Sequence, residues 1–512
     1  MPIADKLWEA KFDKDVEWMQ LSDAGYLVVN TSQGLFGVKP EDGSIVWKMD
    51  DVKKVPEDFF STIPGTQFVT ITKSAGPLGV TTTTLVVDVT TGKTQWTTKD
   101  LDLVNSFGMI NMMEAGAVYL FGQHKDGKMV TMFVDLATGK PLWTNETLYK
   151  KKPITMYKMR PESQWSTRMS IVGNQPPVFL DDGSYIEFMS QVGPRRVNGK
   201  TGEVIWTSKV EFEGIPGLRD GYAPFVLSSD KKVLFIPHGK RVDAISVEDG
   251  SALWKKAPKL RSKVTQMQAS SEGLVVRGSS GPDSKPYIDV IDFTSGETRW
   301  KKPFKDLAGA SSFDIQGDKL YIYADESIFE IVLATGENKE IVKTIRLSGN
   351  EIPSSLAIVE QGYLLTSSQN MLLYDKSGNQ VYHAYHKAPG SSLLAKVAST
   401  AAIMAVNAAS AASAYSQAQS TGMSQSYTVV TSNPVMSKRF KATAGGSSSV
   451  TVLTDVKTSS AKGPGLVKVD RKTGADVKCV VLGTKEPKYE FDDVDGMLFF
   501  LSDDKVIQGF KF

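Results

Sequence analysis

Residues 84–96 read Thr-Leu-Val-Val-Asp-Val-Thr-Thr-Gly-Lys-Thr-Gln-Trp. An apolar, β-branched run leads to a Thr-Gly turn at Gly92, and Trp96 follows four residues after the glycine. Glycine adopts positive φ without the steric cost of a Cβ, so it suits a tight turn between two strands. The stretch therefore predicts a β-hairpin whose second strand carries a tryptophan.

The same hairpin recurs along the chain. Other copies with the same spacing pair Gly43 with Trp47, Gly139 with Trp143, Gly202 with Trp206, Gly250 with Trp254, and Gly296 with Trp300. Weaker copies, at Gly336, Gly378 and Gly474, have no tryptophan. Successive glycines are 40–49 residues apart except for two intervals, of 63 and 96 residues. A period near 45 residues is typical of a four-stranded propeller blade.

The repeat predicts an all-β fold: a single β-propeller domain over residues 1–512, built from four-stranded antiparallel blades. Nine hairpins supply nine blades. A tenth forms if an N-terminal strand around Trp8 pairs with the C-terminal run 496–510, which would close the ring and remove free sheet edges. We therefore expect about ten blades. Eight is the alternative, if the weak copies at Gly336 and Gly474 belong to irregular segments.

Residues 387–448 interrupt the repeat. The Ala/Ser-rich, proline-free residues 391–420 favour a helix, and Leu394, Val397 and Met404 recur at helical spacing on one face. This helical insertion makes those three residues candidates for partner binding. The alternatives are a helix that only decorates the propeller, a further hairpin formed by residues 421–431, and a helix on a membrane surface, which the polar face disfavours because Lys396 is its single basic residue.

The motif Asp-x-x-Thr-Gly-Lys-x-x-Trp at 88–96 and 135–143 resembles the tryptophan-docking repeat of the PQQ-like propellers. That family includes quinoprotein alcohol dehydrogenases and a non-enzymatic outer-membrane assembly scaffold, to which this chain is closer in character. The resemblance implies that the tryptophans pack between adjacent blades. The structural staples would then be Trp8, Trp47, Trp96, Trp143, Trp206, Trp254 and Trp300, with Gly43, Gly92, Gly139, Gly202, Gly250 and Gly296.

Composition excludes several classes of protein. Hydrophobic residues are 41% and charged residues 23%, which is ordinary for a globular chain. Lys+Arg 59 against Asp+Glu 57 gives a net charge of +2, so no global attraction for nucleic acid or anionic lipid is expected. We interpret the lysine clusters at 150–152 and 301–302 as solvated loops balanced by nearby acids. No apolar run is long enough to predict a transmembrane segment.

Catalytic, metal-binding and cofactor-binding residues are not predicted. The resemblance to quinoproteins implies a metal held by Glu, Asn and Asp and a vicinal cysteine pair, but Cys479 is the single cysteine. His383 and His386 would point to opposite faces of a strand, so they cannot chelate together. The sequence from Asp492 to Gly496 resembles the start of a calcium loop, but it lacks the later ligands and favours a tight turn.

The favoured function is a non-enzymatic scaffold that docks other proteins, as part of a larger complex and without nucleic acid. The alternative is a quinone-dependent dehydrogenase, or another enzyme, in the central funnel. The N-terminus shows no signal peptide, which indicates the cytoplasm if Met1 is the native start. If the chain is a mature form, the family resemblance favours the periplasm or cell envelope.

Overall fold

The protein is described from a computed structural model. The structure describes residues 1–63, 65–75, 81–112, 116–146, 178–189, 193–210, 225–278, 286–305, 307, 310–389 and 448–512. In these residues the only helices are two single 3-10 turns, Glu57–Phe59 and Ser348–Asn350. The predicted helical insertion, with Leu394, Val397 and Met404, lies outside the described residues.

Thirteen strands are described before residue 147, and each is short and antiparallel to its neighbours. They are β1 (Asp5–Lys11), β2 (Val16–Leu21), β3 (Leu27–Thr31), β4 (Gly34–Val38), β5 (Ile45–Met49), β6 (Phe60–Thr62), β7 (Phe68–Ala75), β8 (Thr81–Asp88), β9 (Lys93–Thr97), β10 (Leu103–Met112), β11 (Ala117–His124), β12 (Met129–Asp135) and β13 (Pro141–Glu146).

The middle of the chain continues the same pattern. Its described strands are β14 (Val178–Phe179), β15 (Ser184–Met189), β16 (Gly193–Asn198), β17 (Val204–Thr207), β18 (Val226–Leu227), β19 (Val233–His238), β20 (Arg241–Ser246), β21 (Val264–Ser270), β22 (Gly273–Gly278), β23 (Tyr287–Ile291), β24 (Phe313–Gln316), β25 (Lys319–Ala324), β26 (Ser327–Val332), β27 (Asn338–Val342), β28 (Ser355–Val359), β29 (Gly362–Thr366), β30 (Asn370–Asp375) and β31 (Gln380–Tyr385).

The last part of the chain supplies six more strands. They are β32 (Ser449–Lys457), β33 (Lys462–Asp470), β34 (Asp476–Val481), β35 (Tyr489–Asp492), β36 (Met497–Asp503) and β37 (Val506–Lys511).

The strands form ten antiparallel sheets, which are the blades of a β-propeller. Blades 1 to 8 follow the chain as β2–β5, β6–β9, β10–β13, β14–β17, β18–β20, β21–β23, β24–β27 and β28–β31. Blade 9 is β32–β34, and blade 10 has the order β1-β37-β36-β35. The predicted all-β propeller and the count of ten are thereby confirmed.

The chain divides into two compact units. The first holds residues 1–147, 386–392 and 427–512, and so contains blades 1 to 3, 9 and 10. The second holds residues 148–385 and 393–426, and contains blades 4 to 8. Each unit has its own apolar clusters between neighbouring blades. One such cluster packs Trp47 of blade 1 against Val69 and Leu85 of blade 2.

Three blades differ from the four-stranded prediction. In blades 5 and 6 the outer chain forms no regular strand and makes two isolated bridges with the third strand of its own blade. In blade 5 these bridges are at Ala252 and Lys259, and in blade 6 they are at Thr298 and Phe304. In blade 9 the described strands are the second, third and outer ones, and the preceding residues, 390–447, lie outside the described part.

The predicted pairing of the two chain ends is confirmed. Strand β1 pairs antiparallel with β37, with Asp5 opposite Lys511 and Lys11 opposite Val506. Before β1, the backbone N–H of Ala4 donates to Cys479 at 2.7 Å, and the N–H of Cys479 donates to Pro2 at 2.9 Å. The first residues therefore cover the outer strand of blade 9 and then complete blade 10.

Candidate functional site

The tryptophans of the repeat lie on the outer strand of their blade, or on the irregular outer chain in blades 5 and 6. Those with a described cross-blade contact reach the turn of the following blade. In blade 2 the indole N–H of Trp96 donates to the Leu136 carbonyl of blade 3 at 2.8 Å. The indole lies over Gly139, where a Cβ would be 2.4 Å from the Trp96 Cγ. Gly139 has φ +69°, so both the turn and the contact require glycine at this position.

Five other tryptophans repeat this contact. Their indole N–H groups donate to a carbonyl of the next blade: Trp8 to Pro40 at 2.8 Å, Trp47 to Val89 at 2.6 Å, Trp206 to Val247 at 3.1 Å, Trp254 to Phe293 at 2.9 Å, and Trp300 to Leu333 at 2.7 Å. The glycines beneath them are Gly43, Gly92, Gly250, Gly296 and Gly336. Trp143 of blade 3 is buried, and its ring stacks on Phe133 of its own blade. Gly202, the turn glycine of the following blade, has φ +73°, as the turn requires.

An acceptor side chain closes many of the hairpin turns. In blade 9 the Asp470 carboxylate accepts the Thr473 backbone N–H at 2.8 Å and its hydroxyl at 2.9 Å. These two hydrogen bonds hold the pKa of the Asp470 carboxyl below its ordinary value. In blade 3 the Asp135 carboxylate likewise accepts hydrogen bonds from the backbone N–H and the hydroxyl of Thr138. The Asp-x-x-Thr-Gly motif is therefore a turn with its polar groups satisfied.

The tryptophan is replaced in three blades. Glu340, Tyr382 and Lys478 occupy the corresponding position in blades 7, 8 and 9. The contact between blades 7 and 8 uses tyrosines instead, since the rings of Tyr321 and Tyr363 lie 5.4 Å apart. These blades coincide with the weak copies of the repeat.

A β-bulge immediately precedes the tryptophan position in seven blades. The outer strand there has one residue with no cross-strand partner: Leu7, Val46, Gln95, Leu142, Ile205, Val381 or Val477. A bulge re-aims the side chains that flank it. In blade 1 it lets Ile45 and Val46 both face solvent while Trp47 points into the blade contact.

This row of outer-strand bulge residues is apolar at every position except Gln95. Leu142 is 52% exposed, Ile205 49% and Val381 53%. Leu253, which precedes Trp254 in blade 5, is exposed as well. Edge strands usually carry charged residues that discourage pairing with other chains, so exposed apolar residues at these outer strands depart from the usual pattern.

The inner strands contain two features that sequence reasoning missed. Trp18 is buried in β2, its indole N–H donates to Val55 at 2.7 Å, and its ring packs on Phe60 of blade 2 at 5.2 Å. It has no glycine four residues before it, so the repeat did not identify it. The alternating apolar pattern of β2 itself was the available signal.

The second feature is the half-buried carboxyl of Glu490 on β35 of blade 10. Burial raises its pKa to about 7, although the backbone N–H of Leu21 in blade 1 donates to it. The neighbouring Glu57 carboxylate raises it further, and Glu57 itself accepts a hydrogen bond from Gln20 at 3.1 Å. These carboxyls join the innermost strands of blades 10 and 1 to the start of blade 2.

The residues considered for chemistry have separate structural partners. His383 bonds to Asn370 at 2.8 Å, whereas His386 bonds to Asp476 at 2.7 Å. Asp492 accepts the backbone N–H of Val494 at 3.0 Å, as expected for a turn. Cys479 is fully buried, and burial raises the pKa of its thiol.

Within the part of the chain that the structure describes, no group of three or more His, Cys, Asp or Glu side chains is arranged to hold a metal ion. None of the helices in this part has the length and apolar character that crossing a bilayer requires.

The fold and the tryptophan contacts define a ten-bladed β-propeller of the PQQ-like, tryptophan-docking class. The sequence profile of the family described as "Outer membrane protein assembly factor BamB" matches residues 4–160 and 162–339, about two thirds of the chain. The protein belongs to this family, and the resemblance expected from the repeat is confirmed.

The solved structures that match this chain share little sequence with it. BamB from Moraxella catarrhalis is 13% identical, with 73% of this chain and 96% of that chain covered and a TM-score of 0.34. The computationally designed Ika8 protein is 12% identical, with 74% and 99% covered and a TM-score of 0.33. Dihydro-heme d1 dehydrogenase NirN in complex with DHE is 10% identical, with 64% and 66% covered and a TM-score of 0.36. No curated protein sequence matches the chain.

Proposed function

We propose that this protein is a non-enzymatic scaffold that binds other proteins within a larger assembly. The observation that carries the proposal is its membership of a family described as an outer membrane assembly factor. The row of exposed apolar bulge residues supports it, because this row offers the same kind of contact on several blades. Partner binding by Leu394, Val397 and Met404 of the insertion stays a prediction.

The surface can be tested with a matched set of variants. Val46→Asp and Ile205→Asp each place a charge on an outer-strand bulge, whereas Gln95→Asp changes the corresponding bulge of blade 2, which is already polar. All three positions are exposed, so we expect melting temperatures close to that of the native chain.

Partners would be trapped by crosslinking the tagged full chain in the cells that express it, and then purified for binding measurements. We expect the Val46→Asp/Ile205→Asp double variant to bind a purified partner at least about tenfold more weakly, because a buried apolar side chain contributes about 1.5–3 kcal/mol. Gln95→Asp should bind like the native chain. Equal affinity of all variants for every partner would contradict a role for these bulges.

The enzymatic alternative needs its own measurement. We expect no saturable change in the ultraviolet–visible spectrum of pyrroloquinoline quinone when the purified protein is added with calcium. Saturable quinone binding, followed by reduction of an artificial acceptor in the presence of an alcohol, would overturn the proposal of a non-enzymatic scaffold.

A further inference from the structure

An additional segment lies along the outer strand of blade 9. Residues 2–4 run beside β34: the backbone N–H of Cys479 donates to the Pro2 carbonyl at 2.9 Å, and the N–H of Ala4 donates to the Cys479 carbonyl at 2.7 Å. The pairing of Ile3 with Cys479 is parallel, whereas the strands within this blade are antiparallel to one another. The outer edge of a blade in this protein can therefore accept an extended segment through backbone hydrogen bonds.

Blade 4 presents an equivalent edge at Thr207. Like Cys479, Thr207 follows the tryptophan position of its outer strand by one residue. The next residue, Ser208, donates to Pro194 of β16 at 2.8 Å, so it belongs to a hydrogen-bonded pair of the ladder. Such pairs alternate in an antiparallel ladder, so the N–H and C=O of Thr207 point away from β16. Among the residues that the structure describes, neither group has a hydrogen-bond partner.

Blades 4 and 9 also share the irregularity of the outer strand. In each blade the residue before the tryptophan position has no cross-strand partner: Ile205 in β17 and Val477 in β34. Both residues are apolar and exposed. Since the bulge lies two residues before Thr207 and two residues before Cys479, the two edges present their outward backbone groups in the same local setting.

Blade 2 shows how such an edge is closed. Thr97 is the residue that follows the tryptophan in β9, and its backbone N–H donates to the Asp100 carboxylate at 2.7 Å. The donor that an added segment would need is therefore already used. Blade 2 is closed by its own side chain and blade 9 by residues 2–4, whereas the corresponding groups of blade 4 are open within the described part of the chain.

The composition of β17 also leaves this edge unprotected. Charged residues and proline normally discourage an edge strand from pairing with another chain. Of the described outer strands, β1, β5, β9, β13, β27 and β34 contain charged residues, and β31 contains His383. The sequence of β17, Val-Ile-Trp-Thr, has none of these residues. Val204 is 41% exposed, and Thr207 is exposed as well.

We infer that the outer edge of β17 binds an extended segment of a protein partner, which pairs with Thr207 as residues 2–4 pair with Cys479. The inference rests on the proposed scaffold function and names how one partner binds. In strand addition, main-chain hydrogen bonds give the affinity and alternate side chains give the specificity. The segment is uncharged and rich in β-branched residues, because its side chains lie beside Val204 and Ile205.

The test uses the full chain and a fluorescein-labelled peptide of alternating Thr and Ile, with a lysine at each end for solubility. Binding is followed by fluorescence anisotropy at peptide concentrations below those at which the peptide self-associates. The same peptide with every backbone nitrogen methylated keeps the side chains but has no N–H donors. We expect the unmodified peptide to bind and the methylated peptide not to bind, because strand addition needs those donors.

A matched pair of variants locates the site. Thr207→Pro removes the outward N–H and no N–H of the ladder, a position at which an edge strand tolerates proline. It should weaken binding of the peptide about tenfold, because one backbone hydrogen bond is lost and the proline ring occupies the edge. Thr97→Pro is the control, because Asp100 already uses that N–H. It should leave the affinity within about twofold of that of the native chain.

Several results would overturn the inference. These are no binding of the peptide to the native chain, binding of the methylated peptide, and equal loss in the two proline variants. Faster maleimide labelling of Cys479 when the peptide is added would place the peptide at blade 9 instead. Dimerisation of the native chain that Thr207→Pro abolishes would assign the edge to a second copy. If a variant has a lowered melting temperature, the comparison of the two peptides on the native chain decides.

Failure here and failure of the scaffold function give different results. If the peptide does not bind, but the purified partner still binds and Val46→Asp/Ile205→Asp weakens it, the edge of β17 has no such role and the scaffold stands. If no protein partner is found but quinone binds, the scaffold proposal itself fails.

Discussion

The indole of Trp47 in blade 1 lies directly on Gly92 in the turn of blade 2. A Cβ on Gly92 would sit 2.6 Å from the Trp47 Cγ, while the indole N–H donates to Val89 at 2.6 Å. Contact and hydrogen bond together fix how the two blades meet. Because Gly92 also has φ +69°, one residue satisfies both the local turn and the contact between blades.

Gly92→Ala should therefore destabilise the protein more than an ordinary glycine substitution. We expect about 3 kcal/mol, from left-handed backbone strain of about 1–2 kcal/mol and overpacking of about 1–3 kcal/mol. Gly127→Ala is the matched control, because Gly127 has φ +86° but open space around a Cβ. Chemical denaturation followed by tryptophan fluorescence measures both. Equal losses would mean that the indole contact adds nothing.

Trp96→Ala should cost about 3–5 kcal/mol, as expected for a buried aromatic residue that leaves a cavity. It also leaves the Leu136 carbonyl without its indole donor. The adjacent change Gln95→Ala alters an exposed bulge residue and should stay within about 0.5 kcal/mol. Similar denaturation midpoints for the two variants would show that the tryptophan contacts do not hold the blades together.

Deleting residues 1–12 should expose both the edge of β37 and Cys479. Strand β1 covers the first, and Pro2 to Ala4 covers the second. We expect aggregation in size-exclusion chromatography and rapid maleimide labelling of a thiol that is inert in the native chain. The Lys6→Ala/Glu9→Ala variant removes exposed side-chain contacts of β1, namely the ion pairs of Glu9 with Lys6 and Lys11 and its hydrogen bond from Gln508, but keeps the strand itself, and serves as the control. A monodisperse, unreactive deletion variant would contradict the assigned role of this segment.

Glu490→Gln should stabilise the protein at neutral and alkaline pH. The pKa of Glu490 is raised to about 7 from an ordinary value near 4.5, so the folded state favours its neutral form. The stability that the protonated Glu490 carboxyl gives the folded state is fully present below about pH 4.5, and it is lost as the pH rises through 7. Glutamine stays neutral and still accepts the Leu21 N–H.

The melting temperature of Glu490→Gln should thus exceed that of the native chain above pH 7, and the two should converge below pH 4.5. Glu9→Gln is the contrasting variant, because hydrogen bonds from Gln508 and Lys6 lower the pKa of Glu9. The melting temperature of Glu9→Gln should therefore not exceed that of the native chain at high pH. A difference between Glu490→Gln and the native chain that does not vary with pH would contradict the raised pKa.

The sequence by itself determined the blade. An apolar run, a Gly turn and a tryptophan at fixed spacing are local features, and each specifies strand and turn chemistry without reference to the rest of the chain. Their recurrence predicted about ten blades and left eight open, which the structure decided in favour of ten, and the unmatched strand around Trp8 predicted how the two ends pair. The strands and turns of each blade were readable because they depend on residues that are near one another in the sequence, whereas the pairing of the ends followed from counting the strands that remained.

Only the tertiary structure decided which side chains face other molecules. The bulge before Trp47 depends on the register with β4, and it exposes Ile45 and Val46 where strict alternation would bury one of them. The pKa of Glu490 depends on Leu21 and Glu57, which come from other blades. Burial and register arise from neighbours in space, which a local pattern does not specify.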